Sequence, residues 1–259
     1  MADRYESRAR RARLKLAGIG VGVVAVLAVG GTLVVTLWGD DNSSGPGSPD
    51  AKASPSASST ASPGSSAMKE FTPATAPPIP LLKPTSNASG SIGTGFEHSN
   101  LGAVSAGVSY WEDLDLLDDV LARKQWKAIA AADSPGTVDQ GVSEVRKVRE
   151  GVGLPPSGGT PDGITFSTSV KAALGRSLDK TGDVVVVWLN YDRFATIRDK
   201  GADDNPLRDE TTSLVLKWES GDWKVTTDPQ WTAKVKGPHA YDPDSKYAWL
   251  DGWRQVSDD

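Results

Sequence analysis

From Leu16 to Trp38 the chain carries no charged side chain: all 23 positions are apolar, glycine or threonine. As a helix rising 1.5 Å per residue, this run spans roughly 35 Å, enough for the ~30 Å hydrocarbon layer of a bilayer. Apolar runs of this length are foreign to the cores of soluble domains. A cleavable signal peptide has a shorter apolar stretch, about 7–15 residues, ending in a small-x-small site. Here the run continues into Thr36-Leu37-Trp38-Gly39-Asp40. The expectation is a retained transmembrane helix over residues 16–38, with Trp38 as an interfacial aromatic.

Charge sets the orientation. Residues 1–15 hold Arg4, Arg8, Arg10, Arg11, Arg13 and Lys15 against Asp3 and Glu6, a net +4. The rest of the chain holds 22 basic and 31 acidic residues, a net −9. A basic cluster before the span, led by Arg8, Arg10, Arg11, Arg13 and Lys15, is an orientation signal. It keeps the N-terminus in the cytoplasm and places the C-terminal part outside. The acidic remainder argues against direct nucleic-acid binding by the folded domain, because phosphate contacts need clustered Lys and Arg. Within the span, Gly18-x-x-x-Gly22 has the spacing that lets two helices approach closely, so a homo-oligomer is one partner expectation. The membrane is another. The chain has no cysteine, which excludes disulfides, thiolate metal sites and a cysteine nucleophile.

Residues 39–92 are rich in Ser, Pro, Ala, Gly and Thr, with Phe71 their one aromatic beyond the span. Such a composition buries too little apolar surface to offset ordering entropy. The segment reads as a disordered linker, stiffer from Pro73 to Pro84 through polyproline II. That leaves about 165 residues, 93–259, for one folded domain.

The domain begins with helices. Ser99 is placed as an N-cap, and Val104, Val108, Trp111, Leu114, Leu117 and Leu121 recur at helical steps, giving one helix or two in succession over about 100–132. Ser134-Pro135-Gly136 stops it. A second helix carries Val138, Val142, Val145, Val148 and Val152 and ends at Gly153. Strands follow. Ile164–Val170 alternates with period two, while Val170–Leu178 reads as strand or helical turn. Val184–Tyr191 is a continuous apolar run, the mark of a strand buried on both faces. Residues 211–219 and 223–226 flank Ser220-Gly221-Asp222 as a hairpin. One sheet face is expected to hold Trp188, Leu214, Leu216 and Trp218 or their alternates. From Lys236 a turn-rich tail with Tyr241, Tyr247, Trp249 and Trp253 packs on the domain and finishes in a short helical turn. The order of helices before hairpin-linked strands predicts an α+β domain, its helices packed on one face of an antiparallel sheet.

Two segments carry a resemblance. Gly95-Phe96-Glu97-His98-Ser99 through Gly102-Ala103-Val104, and Leu216-Lys217-Trp218-Glu219-Ser220-Gly221-Asp222-Trp223-Lys224-Val225, resemble the nuclear transport factor 2-like fold, where a Trp-x-x-Gly-Asp-Trp-Lys/Arg-Val strand-turn-strand recurs. With the basic tail, membrane span and spacer, the chain resembles accessory membrane proteins of conjugative elements in high-GC Gram-positive bacteria. The resemblance implies a curved, cone-like sheet. It also implies a scaffold subunit of a conjugative transfer or type IV secretion-like channel, with other channel proteins as partners. A cell-surface ligand-binding or sensing module, with a pocket inside the cone, is the alternative. Related cone-shaped domains place an acid with tyrosine or histidine in their cavity, which singles out Asp192 beside Tyr191. Trp218 and Trp223 are the tryptophans expected as partner or pocket residues.

No enzyme motif stands out, and neither a cofactor nor a metal is expected. His98 and His239 lack metal-ligand spacing. Asp203-Asp204-Asn205 and Asp242-Pro243-Asp244 miss the EF-hand pattern. Gly151-Val152-Gly153 and Gly158-Gly159 are not followed by Gly-Lys-Ser/Thr.

Overall fold

The folded chain begins well before residue 93. The computed structural model describes residues 71–197, 201–202 and 206–257. The span from Leu16 to Trp38, the basic cluster and the linker up to residue 70 lie outside the described residues. Among the described residues, no helix is long and apolar enough to cross a membrane. Residues 71–92, read as linker from composition, are part of the packed domain. Ala76 and Ile92 are buried. The Ala74 N–H donates to the Pro243 carbonyl at 2.8 Å and the Leu82 N–H to Ser105 Oγ at 2.9 Å. The prolines do not leave the segment loose. Each fixes φ and lacks an N–H, which suits an outer, two-residue strand. Three two-residue strands come first: β1 (Ile79–Pro80), which ends on such a proline, and β2 (Ser86–Asn87) and β3 (Gly93–Thr94), which pair with each other as a separate antiparallel sheet.

Helix α1 (Asn100–Asp113) starts where Ser99 Oγ accepts the Gly102 N–H at 2.9 Å. Its small face, Ala103, Ala106 and Gly107, lets it lie close against the sheet: a Cβ on Gly107 would sit 3.0 Å from Val187. The expected helical stretch is two helices, broken by two carboxylates. Asp115 Oδ1 takes the N–H groups of Leu117 and Asp118 at 2.8 and 2.6 Å. Asp118 Oδ1 then caps α2 (Asp119–Ile129) through Val120 and Leu121. Helix α3 (Gly136–Gly151) follows, burying Val142 and Val145.

The sheet is built from β4 (Ile164–Ser177), β5 (Val184–Ile197), β6 (Gly201–Ala202), β7 (Leu207–Glu219) and β8 (Asp222–Val225). Two short helices, α4 (Pro229–Thr232) and α5 (Lys246–Asp251), precede β9 (Arg254–Ser257). The strand order is β1-β9-β4-β5-β7-β8, with β6 paired to β5. All pairings are antiparallel except that of β1 with β9. The sheet is strongly curled into a half-barrel, so the molecule is α+β as its element order predicts. Residues 170–177 are strand, not a helical turn. The hairpin turns through Ser220 and Gly221, both with positive φ, as a two-residue loop requires.

Both faces of β5 are covered. Val185, Val187, Leu189 and Tyr191 meet the helices, together with Leu214 and Leu216. Each fully buried Leu here contributes roughly 1.5–3 kcal/mol. Val184, Val186 and Val215 lie under Trp231 of α4 and Val235 just after it. Trp188 belongs to this second face, against expectation. It pairs with Ser213 while Val187 pairs with Leu214, and one residue of register moves a side chain across the sheet. Ala172, Leu174, Ala248 and Trp253 close the same side. The tail ends in β9 and not in a helical turn, because residues 254–257 pair with β4 and β1.

Candidate functional site

The residues singled out from sequence fall into three separate places. Tyr191 faces the helices. Its ring meets Trp111 edge-on, with centroids 5.3 Å apart. Arg193, on the same side of β5, lies over both rings, its Cζ 5.3 Å from Trp111 and 5.2 Å from Tyr191. Its Nε donates to Thr168 Oγ1 at 3.0 Å. Ring faces and a hydroxyl thus replace water around a buried cation. Burial draws the Arg193 guanidinium below its ordinary pKa. Burial also raises the Tyr191 hydroxyl; the Arg193 cation opposes that rise and Glu210 adds to it. Composition gave no sign of Arg193, which sits past the apolar run in the extension of β5.

Asp192 points the other way, out of the cone. It accepts the Lys171 ammonium at 2.8 Å and the Asp209 N–H at 2.8 Å, with Arg208 Nη1 at 4.0 Å. Burial would raise its pKa, but Lys171 and the Asp209 amide outweigh burial and hold it below the usual carboxylate range. Lys171 and the Asp209 amide thus tie Asp192 into an ion pair on the surface of the sheet. The alternation of the strand separates Asp192 from Tyr191, and bulges at Val170/Ala172 and Tyr191/Arg193 mark the spot.

Trp218 and Trp223 are at the opposite end of the sheet. Val184 pairs with Lys217 and Tyr191 with Glu210, so the two ends are seven residues apart along β5, roughly 23 Å. Trp218 and Trp223 touch each other at 5.4 Å, tilted by 68°. His98 stacks on Trp218 at 4.4 Å and 7°, and its Nε2 is 2.8 Å from Asp183 Oδ1. The buried Trp223 donates its Nε1–H to the Glu97 carbonyl at 2.9 Å. The shared Trp and His patch therefore joins the two segments that carried the sequence resemblance. His239 pairs separately with Asp251, Nδ1 to Oδ2 at 2.6 Å. Among the described residues, no group of three or more His, Cys, Asp or Glu side chains could hold a metal ion.

Among the described residues, large side chains fill the interior of the curl. Tyr110, Trp111, Trp126 and Trp223 are essentially inaccessible, and the Tyr110 hydroxyl donates to the Trp223 carbonyl at 2.7 Å. Space lies at the rim instead. One groove of about 310 Å³ separates residues 112–117 from Ile164, Thr165, Phe166 and Thr168 of β4. A second, of about 270 Å³, runs from Leu81–Pro84 past Val108 to Glu112 and Asp113. Glu112 and Asp113 border both. Thr168 links the first groove to Arg193.

A glycine-bearing loop forms one wall of that groove. Arg149 Nε donates to the Pro155 carbonyl at 2.7 Å and Nη1 to the carbonyls of Gly159, at 2.9 Å, and Leu117. Asp119 accepts the Gly158 N–H at 2.9 Å, the Ser157 hydroxyl and Arg146. Gly158-Gly159 thus wraps a buried arginine, with Thr160 reaching the groove.

No protein family, curated protein or solved structure matches the chain.

Proposed function

We propose that the chain is a membrane-anchored scaffold subunit that works by protein–protein contact on the outer side of the membrane, within a conjugative transfer or type IV secretion-like channel. Residues 16–38 and the basic cluster before them supply the anchor and its direction. The observation that carries the contact reading is the filled half-barrel. Tyr110, Trp111, Trp126 and Trp223 occupy the volume where a small ligand would sit in a cone, leaving solvent-open grooves at the rim. Small-molecule sites are concave and enclose most of the ligand. Grooves bordered by Asp113, Asp115 and a strand edge suit a polypeptide better.

Cross-linking of the protein in its own membrane, followed by identification of the adducts, tests the proposal. Adducts with a transfer ATPase complex or other channel proteins are the expected result. The sensing alternative predicts instead a monomer whose thermal stability rises with a small molecule. Proteolysis of intact protoplasts tests the topology: residues 71–257 should be digested from outside while the N-terminus stays protected.

A further inference from the structure

We infer that the outer edge of β4, from Ile164 to Thr168, is a docking site for an extended basic segment of a partner protein, which adds to the sheet as a further strand. The inference rests on the contact-module reading and specifies its surface. β4 pairs with β5 along its whole length, Ile164 to Ser177. On its other side, β9 reaches only Ala172 and Ala173. The Val170 N–H points to this outer side, where Glu112 Oε1 accepts it at 2.7 Å. Antiparallel strands direct alternate residues outward, so Phe166 and Thr168 also turn their N–H and C=O groups away from β5. The Ile164 N–H, on the same side, is taken by the Pro161 carbonyl at 3.2 Å. Among the described residues, no strand pairs with the outward groups of Phe166 and Thr168.

Open edges are normally blunted with Lys, Pro or inward charges, because they invite pairing with another chain. Ile164-Thr-Phe-Ser-Thr-Ser-Val170 has none of these: no charge and no proline, and four of its seven residues are β-branched. The groove of about 310 Å³ lies directly along Ile164–Thr168 and leaves room for a neighbour. At ~3.3 Å per residue the edge takes a strand of about five residues. Main-chain bonds would supply affinity and the groove wall specificity.

The groove's far wall fixes the chemistry of the occupant. Asp113 and Asp115 line it. A second copy of this chain, docking by the same edge, would bring its own pair of carboxylates to the same junction. A segment with Lys or Arg at alternate positions faces them favourably, so charge selects a basic partner over self-pairing.

The test uses the full chain in lipid nanodiscs with two capped probe peptides, one alternating Lys and Val and one alternating Glu and Val. Hydrogen exchange of Phe166 and Thr168 is the readout. The lysine peptide should slow exchange at these two amides, with the effect fading as salt rises, and the glutamate peptide should not. Thr165, exposed at the groove, allows a charge swap without disturbing the core. Thr165→Lys should weaken the lysine peptide on the order of tenfold and Thr165→Glu should strengthen it. Unchanged exchange at Phe166 and Thr168, or an equal response to both peptides, overturns the inference. If the peptide binds here but membrane cross-linking yields no protein adduct, the contact-module reading falls while the edge site stands. Adducts mapped to another face, with no peptide binding, give the reverse.

Discussion

Thr168 and Arg193 face each other across β4 and β5, and Thr168 Oγ1 accepts the Arg193 Nε–H at 3.0 Å. The pair ties a groove-lining residue to a buried cation held between two aromatic rings. Thr168→Val keeps the shape and removes the acceptor, so it should cost about 1.5–3 kcal/mol of stability. Thr168→Ser keeps the acceptor and should cost less than about 1 kcal/mol. Urea unfolding of both variants, compared with the parent protein, measures the difference.

Two glycines of α3 separate packing from helix propensity. A Cβ on Gly141 would sit 2.2 Å from Trp126 Nε1, whereas one on Gly136 meets nothing within 4 Å. Alanine favours a helix over glycine by roughly 0.5–1 kcal/mol at an interior position. At Gly141 overpacking, about 1–3 kcal/mol, should win, so Gly141→Ala lowers the melting temperature. Gly136→Ala should leave it equal or slightly higher. Calorimetry of the two variants decides the sign.

Asp119 governs part of the acid response. Burial would raise its pKa, but the Gly158 N–H, Arg146 and Ser157 hold it below the ordinary value. The folded state therefore binds this proton less readily than the unfolded chain, whose carboxyl titrates near pH ~3.9. The resulting stability is full above that point and is lost as pH falls through the folded value. Asp119→Asn should be less stable at neutral pH and lose less on acidification below about pH 4. Chemical denaturation across that range gives the two slopes.

Arg149 should hold the groove wall in place. Arg149→Met keeps the aliphatic stem but leaves the Leu117, Pro155 and Gly159 carbonyls without their donor. A loss of about 3 kcal/mol is expected. Faster amide exchange in residues 157–160, with β5 unaffected, distinguishes a loosened wall from general destabilisation.

Local chemistry made much of the fold readable. Ser99 as a cap, the Ser220-Gly221 turn and the apolar run 184–191 each carry their own signal within a few residues. The two-residue strands β1, β2 and β3 carry none, because a strand that short has no period, and the prolines from Pro73 to Pro84 suggested an unpacked segment. The site was less legible than the fold. Tyr191 and Asp192 are neighbours in sequence but lie on opposite faces, and Trp218 and Trp223 belong to the far end. His98 gained its role only through stacking on Trp218, a partner 120 residues away. The open edge of β4 depends on how far β9 extends, which nothing in residues 164–170 encodes.

The position of β9 also sets an order of events. It lies between β1 and β4, so β1 joins the sheet only through residues 254–257, and the Leu81 N–H finds the Ser257 carbonyl there at 2.9 Å. Closure of the domain thus waits on contacts between the two ends of its sequence, the slowest kind to form. Until residues 254–257 are in place, Ile79 and Pro80 lack their strand partner, and the segment is held only where Leu82 meets Ser105 and the core. Residues 254–257 are thus the latch that joins the first strand of the domain to the rest of its sheet.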